Sequence, residues 1–126
     1  MSLPEIIVAS NRQKVAQIAQ DLLDGRVGII AGARQISALC GGHVGLDEFD
    51  PDFLTFIGID SETDDLPVGQ TRQHWAADSL AKKDEEIARC EALYREPARE
   101  AASHLVARFA QEKPPTSAYD YYTPNT

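Results

Sequence analysis

Asp50-Pro51-Asp52-Phe53-Leu54-Thr55-Phe56-Ile57-Gly58-Ile59-Asp60 is the stretch on which the fold class turns. Its Phe, Ile and Thr residues favour strands, so a strand is one reading. The same residues also fit a helix. Asp50 is an N-cap type, Pro51 suits the first helical position, and Phe53, Phe56, Ile57 and Asp60 follow helical spacing. The rest of the chain decides between them. No second convincing strand is present, and a lone strand leaves its backbone groups unpaired. The helical reading prevails, and an all-α fold follows from it.

Working outward, a helix is expected over residues 10–24, capped by Ser10 or Asn11. Val15, Ile18, Ala19, Leu22 and Leu23 recur on one face, and Gly25 ends it. Residues 4–9 either extend this helix or form an apolar arm. A second helix is expected over residues 29–40, broken by Gly41-Gly42. A turn at Leu66-Pro67-Val68-Gly69 precedes a long helix over residues 77–111. Leu80, Ile87, Tyr94, Ala98, Ala101, Leu105 and Phe109 hold one helical phase along it. Lys82–Glu86, Glu85–Arg89 and Glu91–Arg95 are i,i+4 opposites, each contributing roughly 0.3 kcal/mol. Pro97 removes one backbone bond and predicts a kinked helix or two nearly coaxial ones. The expectation is a compact bundle of four or five helices over residues 1–113, with an extended tail over residues 114–126.

Charge is unevenly placed. The chain has 126 residues and a formal net charge of −8. Residues 47–66 hold eight acids and no Lys or Arg: Asp47, Glu48, Asp50, Asp52, Asp60, Glu62, Asp64 and Asp65. The flanking segments are nearly neutral. Uncompensated charge repels itself, so such a block suggests a cation, a basic partner or solubility. A pI near 4.7 argues against nucleic-acid binding, which needs a basic surface. No apolar run approaches the ~20 residues that cross a bilayer, and the first residues lack a signal peptide's basic and apolar regions. Cys40 and Cys90 fit no redox or zinc spacing. A reduced cytoplasmic protein, with no cofactor and no membrane partner, is the simplest expectation.

Several motifs invite chemistry. Ile59-Asp60-Ser61-Glu62 looks like the first motif of DEDD-type 3′–5′ exonucleases, in which a strand delivers Asp-x-Glu to two metal ions. That family needs two further acidic motifs on later elements, and the residues after Asp65 read as helical. Asp60-x-Glu62-x-Asp64 alternates acids as an EF-hand loop does, but Asp65 and Thr71 stand where its glycine and its final glutamate belong. His43, His74 and His104 are dispersed, and Cys40-x-x-His43 has no mate. Arg72 and Trp75 come after the acids. Trp75 can anchor the loop while Arg72 folds back in a bidentate pair onto Asp60, Glu62 or Asp64. The alternative is that both line a ligand pocket.

The block Ile59-Asp60-Ser61-Glu62-Thr63-Asp64-x-Leu66-Pro67-Val68-Gly69-x-x-Arg72-x-x-Trp75 resembles that of a family of small bacterial proteins. These also carry an upstream helix like Gly32-Ala33-Arg34-Gln35-Ile36-Ser37-Ala38-Leu39. The resemblance spans about residues 20–110. It implies no activity and supplies no site residues.

The functional expectation is a non-enzymatic acidic module that binds a basic protein, such as an immunity protein neutralising a bacterial toxin. Its contact residues would be Asp60, Glu62, Asp64, Asp65, Arg72 and Trp75. Tyr119, Tyr121 and Tyr122 of the tail would add aromatic anchors. Two alternatives stand beside it. One is a metal-dependent hydrolase using Asp60, Glu62 and Asp64. The other is a helical adaptor or homodimer with an apolar strip of Ile6, Ile7 and Val8.

Overall fold

The computed structural model describes residues 2–110 and shows an all-helical bundle. Four α-helices run in the order α1 (Leu3–Leu23), α2 (Ile29–Ser37), α3 (Pro51–Glu62) and α4 (Ala77–Phe109). Short 3-10 segments span Gly41–Val44 and Gly69–His74. The tail, with Tyr119, Tyr121 and Tyr122, lies outside the described residues.

The decisive stretch is helical. Phe53, Phe56 and Ile59 are buried while Leu54 and Gly58 are exposed, a three-residue spacing that no strand produces. Asp50 caps α3 by accepting from the Asp52 backbone N–H at 3.1 Å, with Pro51 at its first position.

Several boundaries differ from the sequence expectation. Residues 4–9 extend the first helix instead of forming an arm, and its cap is Ser2, not Ser10 or Asn11: Ser2 accepts from the Glu5 N–H and its hydroxyl donates to the Glu5 carboxylate. This pairing resembles a capping box. Asn11 instead donates to the His43 carbonyl at 2.8 Å, tying α1 to the first 3-10 segment. The second helix ends at Ser37, and α4 is one helix running through Pro97. The strip of Ile6, Ile7 and Val8 is divided, since Ile6 is buried and Ile7 is exposed.

One core joins all four helices. Val15, Ala19 and Leu22 of α1 meet Ile29, Ala33 and Ile36 of α2, Phe53 and Phe56 of α3, and Ala98, Ala102, Leu105 and Phe109 of α4. Fully burying each phenylalanine contributes about 1.5–3 kcal/mol. Only the C-terminal half of α4 reaches this core. Before Ala98 no α4 residue is buried, although Leu80, Ile87 and Tyr94 keep the helical phase and are half-buried.

Charged side chains of α4 satisfy the ends of its neighbours. Glu91 accepts from the Ile29 N–H at 2.8 Å and the Ile30 N–H at 3.4 Å, so its carboxylate caps α2. This replaces the expected Glu91–Arg95 pair. Gly28, the N-cap residue, permits it: a Cβ there would lie 2.8 Å from the Glu91 Oε1. Arg99 donates to the Leu23 carbonyl at the end of α1, at 2.9 Å.

Glu91→Ala is expected to cost about 1 kcal/mol in urea or thermal denaturation. Gly28→Ala should then cost less in the Glu91→Ala background than in the wild type, because it acts partly by displacing the same cap. Equal costs in both backgrounds would remove Glu91 as the cap.

Candidate functional site

The acidic block is split by α3 into two ends. The helix has 12 residues and is therefore about 18 Å long. At its N-terminal end, Arg108 of α4 forks onto Asp50 at 2.8 and 2.9 Å and reaches Asp52 at 2.8 Å. His104 Nδ1 lies 2.9 Å from the other Asp52 oxygen. These two acids are internal structural partners. The Arg108 bonds, helped by the Asp52 and Phe53 N–H groups, hold the Asp50 carboxyl below its ordinary range despite its burial.

At the C-terminal end, Arg34 of α2 fastens the chain. Its guanidinium donates to the carbonyls of Thr63 and of Leu66, the latter at 2.8 Å, and its Nε stands 3.7 Å from Asp60. Thr63 is fully buried and its hydroxyl donates back to the Ile59 carbonyl at 2.6 Å. The last turn of α3 contains no base of its own, so Arg34 supplies the positive charge favoured at a helix C-terminus. Arg34 on α2 therefore contacts the C-terminal part of the acidic block directly. Sequence reasoning gave Arg34 no role. Its pairing partners are 29 and 32 residues away, a separation that no periodicity reports.

Arg72 makes the bidentate pair expected of it, but with a different partner. It meets Asp84 of α4 at 2.6 and 3.0 Å and also donates to the Pro67 carbonyl at 3.2 Å. The 3-10 segment Gly69–His74 carries Arg72 towards α4 instead of Asp60, Glu62 or Asp64. This bond holds the Asp84 carboxyl below its ordinary range and pushes the Arg72 guanidinium up. Trp75 remains 37% exposed, a weaker anchor than the sequence implied.

The carboxylates therefore divide. Asp50 and Asp52 pair with Arg108, Asp60 with Arg34, and Asp65 with Lys83 of α4 at 3.6 Å. This corrects the expectation that the whole block faces outward unneutralised. Glu62 and Asp64 are exposed and have no basic partner among the described residues. Asp47 and Glu48 are likewise exposed, at the far end of α3.

The Asp60-x-Glu62-x-Asp64 pattern does not make a metal nest. Among the described residues no three His, Cys, Asp or Glu side chains gather to hold an ion. The helix sends Asp60 towards Arg34 and Glu62 towards Tyr94 and Pro97. The strand required by an exonuclease motif is absent, since this stretch is α3. No helix among the described residues is long and apolar enough to cross a membrane.

The chain matches no family model, no curated protein and no solved structure.

Two outcomes test this geometry. Arg34→Ala should destabilise the fold by about 2–3 kcal/mol, as bonds from a charged donor to partly buried carbonyls are lost. Arg34→Lys should recover little of that, because one ammonium cannot serve both carbonyls and the carboxylate. Asp50→Asn retains a good N-cap but loses the ion pair. Asp50 has its carboxyl lowered in the folded state, so its contribution is whole above the ordinary value of 3.8 and fades as pH falls further. The stability gap between wild type and Asp50→Asn, on the order of 1 kcal/mol at neutral pH, should therefore close on acidification. A gap that persists in acid would show that the ion pair is not its source.

Proposed function

We propose that this chain is a non-enzymatic protein-binding module that presents Glu62 and Asp64 to a basic partner, as an immunity protein does in covering a toxin. The observation that supports this is where these carboxylates stand. Glu62 occupies the last turn of α3, where the helix dipole disfavours a negative charge, and Asp64 comes two residues later. Both are exposed, and the nearby structural cation, Arg34, is spent on carbonyls and on Asp60. Neither acid has a cation among the described residues, and a positively charged partner surface would supply one. Such a patch steers association and selects against acidic partners.

Asp65 is a rim residue in this reading, because Lys83 only partly offsets it. Asp60 is a positioning residue that orients Arg34. Arg72 holds the loop in place, and Trp75 offers exposed aromatic surface beside it.

The test is capture of partners by the wild-type chain and by a Glu62→Lys/Asp64→Lys double variant. A basic protein should be retained by the first and lost, by about tenfold or more in affinity, by the second. The variant should melt no lower than wild type, since it relieves like-charge repulsion and the dipole penalty. Undiminished capture by the double variant would end this reading.

A further inference from the structure

We propose that a groove between α3 and α4 seats a basic amphipathic helix of the partner; this rests on the reading of the chain as an acidic binding module. Leu54, Gly58 and Glu62 form one wall, and Tyr94 and Pro97 the other, around about 440 Å³. Leu93, one turn before Pro97, is 69% exposed and Leu54 is 43% exposed, so apolar surface continues beyond the groove. Glu62 is the single charged lining group, and no Lys or Arg lines it. Asp64 follows Glu62 by two residues along the chain and is exposed. The groove is thus apolar along its floor and negative at one end.

Two residues argue that something approaches closely here. Gly58 has ordinary helical backbone, and a Cβ placed on it would meet nothing within 4 Å. No contact inside the described chain calls for glycine at this interior helical position, where it weakens the helix. Its missing side chain leaves backbone open to an incoming element. Opposite it, Pro97 has no N–H to give to the Leu93 carbonyl, so the helical ladder skips a bond at the other wall. An apolar, negatively ended groove complements a helix with leucine-like anchors on one face and Lys or Arg on its flanks. From Leu54 to Glu62 the wall is about 12 Å long, enough for roughly two turns of such a helix.

The experiment titrates a synthetic leucine–lysine amphipathic helix against the full chain by calorimetry, with a leucine–glutamate helix as the control. Binding of the first and not of the second is expected. Gly58→Phe keeps every charge but fills the groove, and should weaken binding about tenfold or more. Gly58→Ala should raise Tm and weaken binding by a smaller factor, so an effect seen with both does not come from misfolding. Wild-type affinity in Gly58→Phe would overturn the groove. If the Glu62→Lys/Asp64→Lys variant then still lost binding, the acidic reading would survive without it; if neither variant lost binding, both would fall. Equal binding of the leucine–glutamate helix would overturn the basic assignment. A concentration-dependent homodimer that Gly58→Phe dissolves in sedimentation would make the occupant a second copy and overturn the proposal.

Discussion

The described fold depends on one long helix meeting the ends of the other three with charges of suitable sign. Every α-helix leaves unpaired N–H groups at its start and unpaired carbonyls at its end. In a bundle this small those ends lie against neighbouring helices as well as water. Glu91 serves the start of α2, Arg99 the end of α1, and Arg108 neutralises the acids that cap α3. These are spaced along α4 in the order in which the neighbouring helix ends reach it. Sliding α4 by a single turn would misplace all three at once, so the polar side chains fix a register that alanine-rich packing through Ala98, Ala101 and Ala102 alone would leave loose.

That constraint explains what the sequence revealed and what it concealed. Helix identity was legible wherever apolar spacing was strong, as at Phe53, Phe56 and Ile59, or along Ala98, Ala101, Leu105 and Phe109. The start of α1 is written in Ser2-x-x-Glu5, while Ser10 and Asn11, equally good cap types, lie inside the helix. Charge roles were not legible. Glu91 fits an i,i+4 pair with Arg95 by spacing, yet its carboxylate is used 62 residues away. Local spacing describes neighbours along a helix and carries no information about which helix end will come to rest beside it. The same limit hid Arg34 and redirected Arg72.

The acidic block divides along the same line. Acids that fall at the start of α3 are useful to the helix itself and are matched by α4. Acids that fall at its end meet a dipole of the wrong sign, and there, among the described residues, Asp60 and Asp65 find cations while Glu62 and Asp64 do not. Along the chain the eight carboxylates form one feature; in three dimensions they form a structural part and an exposed part, with exposed acids at each end of α3. The exposed part is smaller than composition suggested, and better defined.

Glu62 shares its neighbourhood with two other residues that a stable helix would avoid. Gly58 in a helix interior costs about 1 kcal/mol relative to alanine, and a proline inside a helix, as at Pro97, costs about 3 kcal/mol. A carboxylate at a helix C-terminus adds several tenths. Against a total of roughly 5–15 kcal/mol for a domain of this kind, that is a substantial concession. At several other places local preferences and tertiary structure agree: Ser2 and Asp50 cap the starts of α1 and α3, and Gly25 at φ 75° comes just past the end of α1. Gly58, Glu62 and Pro97 line one groove between α3 and α4. Packing does not account for the glycine or the proline, since a side chain at Gly58 would meet nothing and Pro97 is exposed. A partner seated in the proposed groove would offset these local costs, which the described residues leave unmatched.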